Sequence, residues 1–332
     1  MRGLVALAAA LSIAIPAWAQ DRPPIEPIEI TARAIKSFKI GSDERNLGPL
    51  EFVGGLELSS SADDLGALSA FRFLTPGGNF VGVADTGFWF YGKIVRDGEK
   101  PVGVANFRMA QMTDAKGNPV TKKWEVDAEG LAVRGDDVYV GFERRHRIVS
   151  YRMEPGDRTV ETGAVDFLVP ANELRQNRGF EAIAFAAIDG PNQGAMIAVS
   201  EKSLDKAGDI FAAVLSGPNK GIFTVKRSDA FDITDSAFLP GGDLLLLERS
   251  FSMATGVGMR LRRIPGDLIR GGAKAVDGPI LFHADMGYQI DNMEGMDVWK
   301  RADDATMISL ISDDNHSILQ RNLYLEFVLR ED

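Results

Sequence analysis

Asn292-Met-Glu-Gly-Met-Asp-Val-Trp299, followed by Ile311-Ser-Asp-Asp-Asn315, is the stretch that decides the fold. Met293, Met296, Val298 and Trp299 suit a pleated, half-buried strand, and 301–304 is a short charged turn. The chain then returns through the apolar run 308–311. A hairpin sets the start of its first strand beside the end of its second. Glu294 and the Asp313/Asp314 pair should therefore meet at one rim of one sheet.

The same arrangement recurs upstream. Gly66, Glu129, Glu181, Asp235 and Glu294 head five aligned segments, spaced 63, 52, 54 and 59 positions apart. Each segment is followed by a turn and a second strand ending in an acid: Asp85, Glu143, Glu201, Glu248 and the Asp313/Asp314 pair. Within the four units that carry both acids the offsets are 14, 20, 13 and 19. A period in the fifties, with room for about four short strands, is the size of a propeller blade. The predicted class is all-β: a β-propeller of five countable blades of about four antiparallel strands, with a sixth, degenerate blade as the alternative. The region 30–58 holds two strands. One of them should complete the last blade beside a C-terminal strand at 323–329 and close the ring. A generic β-sandwich is the competing arrangement, but it gives no reason for an acid at the head of the same strand in successive units. Helix is expected only at 172–178 and as a turn at 265–270.

Arg2, the apolar run 4–15 and Pro16-Ala-Trp-Ala19 read as a cleaved Sec-type signal peptide covering 1–19. The run is too short for a membrane span of about 20 residues. Export to the periplasm or beyond is expected, with 20–29 as a proline-bearing linker or extended arm and 30–332 as one domain. An exported chain with no cysteine has no disulfide framework, so a large core or bound ions must stabilise it. With 45% apolar residues the core is ample. A net charge of −10 argues against nucleic acid and anionic membrane as partners.

In a propeller the first strand of each blade lines the central channel. Glu129, Glu181, Asp235 and Glu294 should then form a carboxylate ring at one mouth, with Gly66 as its blank and the second-strand acids further out. Like charges so placed raise one another's pKa and destabilise the fold unless neutralised. Arg144, Arg145, Lys202, Arg249 and Arg321 adjoin the acids in sequence. The other neutraliser is a hard cation, and an all-oxygen donor set favours calcium over zinc. The expected metal ligands are Glu129, Glu181, Asp235, Glu294, Asp313 and Asp314. A competing role for any one of these acids is to fix blades by accepting backbone N–H groups of the next blade. His316, beside the acidic pair, is the candidate acid or base alongside Glu294, Glu129 and Glu181, with a solvated surface histidine as its alternative. No G-x-S-x-G elbow, P-loop or dinucleotide fingerprint occurs in the sequence.

The segments GGLELSS (54–60), VADTG (83–87), DAEGLAV (127–133), GFEAIAF (179–185), LPGGDLLLLERSFS (239–252), NMEGMDVW (292–299) and LISDDNHSILQRNLYLEF (310–327) together resemble the family known for the esterase-like activity of phytase. The resemblance implies a phytase-like β-propeller that hydrolyses phosphoric or other esters, and related propellers use calcium at an acidic channel mouth. The leading expectation is a calcium-assisted phosphate esterase. Arg144, Arg249 and Arg321 would bind the substrate, since their forked geometry suits phosphate oxygens. The sparse basic residues along the inner strands weigh against a polyanionic substrate. A metal-dependent lactonase or carboxyl esterase, and a non-catalytic binding propeller with a structural metal, are the alternatives. The expected partner is a small-molecule ester, with no stable membrane insertion and a monomeric state.

Overall fold

The computed structural model describes residues 23–62, 65–156, 158–175 and 179–330. The stretch read as a signal peptide lies outside them. Five antiparallel sheets form five blades, and their inner strands contact one another around a closed ring. Those inner strands are Leu68–Phe73, Ala128–Arg134, Phe180–Phe185, Asp232–Phe238 and Asn292–Lys300. There is no sixth blade among the described residues. The extra N-terminal strands are absorbed into existing ones: Leu50–Ser59 pairs with the C-terminal strand Asn322–Leu329 in blade five, and Thr31–Ile35 adds outside it. The ring is therefore closed by strands from both ends of the chain, as expected. Part of the arm at 20–29 is also built in. Ile25–Pro27 pairs with Lys100–Gln111 on the outer edge of blade one, an edge position that tolerates proline because only one side of the strand is bonded.

Alternation along each inner strand explains how the blades stack. Successive side chains point to opposite faces of a sheet, and in a propeller both faces meet a neighbouring blade. Ala70 thus packs between blades one and two while Phe71 packs between blades five and one. Likewise Leu131 and Ala132 face blades one and three respectively. The buried core is five such layers, one per junction. Fit is close where blade two meets blade three: a Cβ on Gly141 or Gly130 would lie 2.4 or 2.6 Å from the carbonyl of Phe180 or Glu181. Helix is confined to Lys123–Val126 and a 3-10 turn at Gly266–Leu268 among the described residues. The first was not foreseen, and the helix expected at 172–178 is a turn over 171–174, with 176–178 outside the described residues. No helix among the described residues is long and apolar enough to cross a membrane.

Candidate functional site

The acidic mouth is built by a β-bulge repeated in every blade. Near the head of each inner strand the register slips by one, leaving Ser69, Glu129, Glu181, Thr234 and Glu294 as the extra residues. A bulge re-aims the extra side chain out of the sheet alternation. Glu129, Glu181 and Glu294 are thereby brought to one basin, where each contributes to the electrostatics of another. The residues two positions beyond the bulge partners on the second strands, at or just past the end of the pairing, form an outer ring: Asp85, Glu143, Glu201, Arg249 and Asp313. The first three are bonded through their amides to the carbonyls of Ala67, Asp127 and Gly179, while Arg249 and Asp313 pair with Asp232 and Asn292.

This register corrects three of the expected positions. Gly66 is not the first-blade equivalent of Glu129; Ser69 is. Asp235 lies one residue beyond the bulge, at 0% exposure, and binds Arg72 at 2.7 and 2.8 Å while accepting the Met296 amide of the next blade at 2.7 Å. It fixes blades rather than joining the basin. Glu248 is one residue short of the outer ring, so alternation turns it into blade four, where it is buried between Arg260 and Arg262.

Arg72 itself has no counterpart in the sequence reading. Its guanidinium also donates to the carbonyls of Phe71, Met296, Ile183 and Ser236, in blades one, five, three and four. It plugs the channel beneath the basin. A separate, charged cavity of about 380 Å³, lined by Arg72, Asp136 and Asp297 among others, lies on its far side.

Two carboxylate triads stand out within the basin. Asp85, Asp127 and Glu129 gather at the junction of blades one and two, and Glu143, Glu181 and Glu201 at the junction of blades two and three; within each triad the ligand oxygens lie within 4.8 Å of one another. Asp127 is the triad member the sequence reading passed over, although it sits in the quoted segment DAEGLAV. At the junction of blades four and five Arg249 takes the outer-ring place of an acid. It pairs with Glu294 at 3.3 Å and Glu201 at 3.8 Å and donates to Asn292, whose amide donates to Glu294 at 2.7 Å. A side-chain cation thus neutralises that junction, and it also reaches Glu201, the member of the second triad nearest to it.

The titration of these groups follows. Burial, then the neighbouring carboxylates, pushes Glu129 and Glu181 well above the usual range. Burial raises Glu143 to about 7 against the Gly179 amide that it accepts. Burial also raises Glu294 to about 7 against the pull of Arg249, and Asp313 to about 6 against the Asn315 amide. Such a basin holds its charge only with added protons or cations.

The remaining expected residues sit at its margins. Asp314 bonds Asn322 and the His316 amide, and His316 is an exposed loop residue packed beside Gly66. Arg144 is held by Asp127 at 2.5 Å. Arg321 lies outside the basin, bonded to Gln289, Asp291 and the Ile290 carbonyl.

A family model, Phytase-like, described as esterase-like activity of phytase, matches residues 63–316. The chain belongs to this family. No curated protein matches it. Among solved structures, Myxococcus xanthus glutaminyl cyclase is 12% identical with a TM-score of 0.42, covering 92% of this chain and 100% of its own. The PQQ-bound aldose sugar dehydrogenase of Streptomyces coelicolor is 14% identical at 0.42, over 91% of this chain and 99% of its own. The endo-arabinase of Bacteroides thetaiotaomicron is 13% identical at 0.46, over 81% and 96%.

Proposed function

We propose that this Phytase-like chain is an ester hydrolase that works at the acidic mouth with a hard divalent cation, calcium by donor type. The observation that carries this reading is the pair of partly buried carboxylate triads at adjacent blade junctions, set against Arg249 at the blade four–five junction. The donors are all carboxylate oxygens, with no sulfur or imidazole, which suits calcium and leaves coordination positions for water and an ester oxygen. Asp85, Asp127 and Glu129 would hold one ion and Glu143, Glu181 and Glu201 another. A bound ion supplies Lewis acidity and lowers the pKa of bound water. The protein's own residues do the rest. Glu294, fixed by Arg249 and Asn292, is the group placed to take the proton of an attacking water. Arg249 steadies negative charge developing beside it.

The geometry favours a carboxyl ester or lactone over a highly charged phosphate ester. Arg144, Arg249 and Arg321 are each paired with a carboxylate, and the surrounding basin is negative. Arg144, next to the first triad, supports a phosphomonoester as the second reading. Turnover of p-nitrophenyl acetate, p-nitrophenyl phosphate and a lactone panel, each with calcium and with chelator, separates these. Calcium-dependent turnover of the acetate or a lactone supports the proposal. Turnover confined to the phosphate favours the second reading, turnover untouched by chelator removes the cation, and no turnover leaves a binding propeller.

A further inference from the structure

Beside the basin lies a cavity of about 610 Å³ between the projecting hairpin of blade four and the 313–321 loop of blade five. The hairpin stands clear because Leu244–Ser252 and Gly256–Ile264 stay paired past Arg249, as far as Ser252 with Gly256. Gly256, at φ +72°, allows its tip to lie against Met286, whose Cγ would be 2.8 Å from an added Cβ. The apolar part of the walls is Phe251, Val257, Met286, Ile290 and Leu319, with polar residues such as Asp291, Asn315 and Gln320 set among them. Three of these are large apolar side chains left open to water, Phe251 at 66%, Met286 at 55% and Leu319 at 87% exposure. Met253 and Ile318 stand exposed on the same two loops.

An apolar wall around a few polar groups, in this size range, is the usual make-up of a small-molecule pocket. Its inner end is made by Arg249 and Asn292, the two residues that hold Glu294. Cavity and basin therefore share Arg249 and Asn292 as a common wall. A polyanion finds no unpaired cation there, because Arg249 is bound by Glu294 and Arg321 by Asp291.

We propose that this cavity is the subsite for the apolar part of the substrate, so that the ester cleaved at the basin carries a medium-length acyl or alkyl chain. The proposal rests on the hydrolase reading for its chemistry, but the pocket can be tested without turnover. The ester group sits at Arg249 and Asn292, and the chain runs out between Phe251, Met286 and Leu319.

Two measurements test it. In the first, kcat/KM is compared for p-nitrophenyl octanoate and p-nitrophenyl acetate with calcium present. Each buried methylene contributes several-fold, so the octanoate should be preferred by at least ~30-fold even in an open cavity. The exposed-site double variant Met286→Ser/Leu319→Ser should reduce that preference to less than ~5-fold. In the second, methionine methyl groups are labelled and followed by NMR as N-octylacetamide, an uncleavable analogue, is added, with N-ethylacetamide as control. The Met286 resonance should shift saturably with the octyl compound alone. Turnover with no chain-length preference and no Met286 shift overturns the subsite while leaving the hydrolase. A saturable Met286 shift in a protein that cleaves no ester keeps the apolar pocket and removes the hydrolase. A chain-length preference unchanged in the double variant places the apolar group elsewhere and overturns the assignment.

Discussion

Raising the pH from 5 to 8 should destabilise the protein in chelator and leave it stable in calcium. The carboxyl of Glu143 moves from 4.5 in the unfolded chain to about 7 in the folded one, chiefly through burial. A folded-state value above the unfolded one means the stabilising form is the protonated one. That contribution is complete below about 4.5 and is lost as the pH climbs through about 7. For one group the span corresponds to about 3 kcal/mol, a large part of the 5–15 kcal/mol typical of a folded domain. Glu294, at about 7, and Asp313, at about 6, act in the same direction, though their mutual repulsion makes the effects overlap rather than add. Calcium should reverse the trend by binding the ionised folded state, which at a hundred times its Kd would contribute about 2.7 kcal/mol. Urea midpoints at pH 5, 6, 7 and 8, in chelator and in calcium, read this directly. The midpoint should fall across the series in chelator and the gap between the two media should widen. Glu143→Gln keeps an oxygen for the Gly179 amide and should flatten the chelator series. Stability in chelator that is level or rising from pH 5 to 8 would refute the electrostatic reasoning, whatever the fold.

Two further perturbations probe the parts around the basin. Arg72→Met leaves Asp235 buried without its partner and should cost roughly 3–5 kcal/mol in a denaturant titration, whereas Arg72→Met with Asp235→Leu should recover most of the loss. Equal losses in the single and double variants would show that the pair itself is not what holds the channel. Arg249→Gln removes the resident cation from between Glu294 and Glu201, so melting in chelator should occur at lower temperature and the calcium-induced rise should exceed that of the parent. An unchanged rise would show that Arg249 does not act as a counter-ion.

Much of this was legible in the chain, for local reasons. The hairpin 292–313 pairs as its apolar alternation requires, and the same pattern four times upstream is enough to specify the blades. The closing strand at the C-terminus needed only an edge-to-edge partner, which Leu50–Ser59 supplies. What failed was register at the level of one residue. A bulge is a property of the pairing, not of the residue, so Thr234 and Asp235 are not distinguishable by type as the extra position. Choosing the acid set Asp235 in the ring and hid the fact that its carboxylate faces Arg72. Glu248 and Arg249 are exchanged for the same reason: Arg249 is legible as a neutralising cation, but not as the residue that holds the outer-ring place itself. Arg72 was beyond reach because its partner is 163 positions away and no local pattern marks the pair. The apolar cavity escaped notice because its walls come from separate loops of blades four and five, each too short to show a period.

The account turns on cations at the two triads, and anomalous diffraction from a calcium-soaked crystal addresses it most directly. One peak should appear among Asp85, Asp127 and Glu129 and a second among Glu143, Glu181 and Glu201, with none where Arg249 stands. A map with no peak at either triad, or with calcium bound only elsewhere on the surface, would contradict the account.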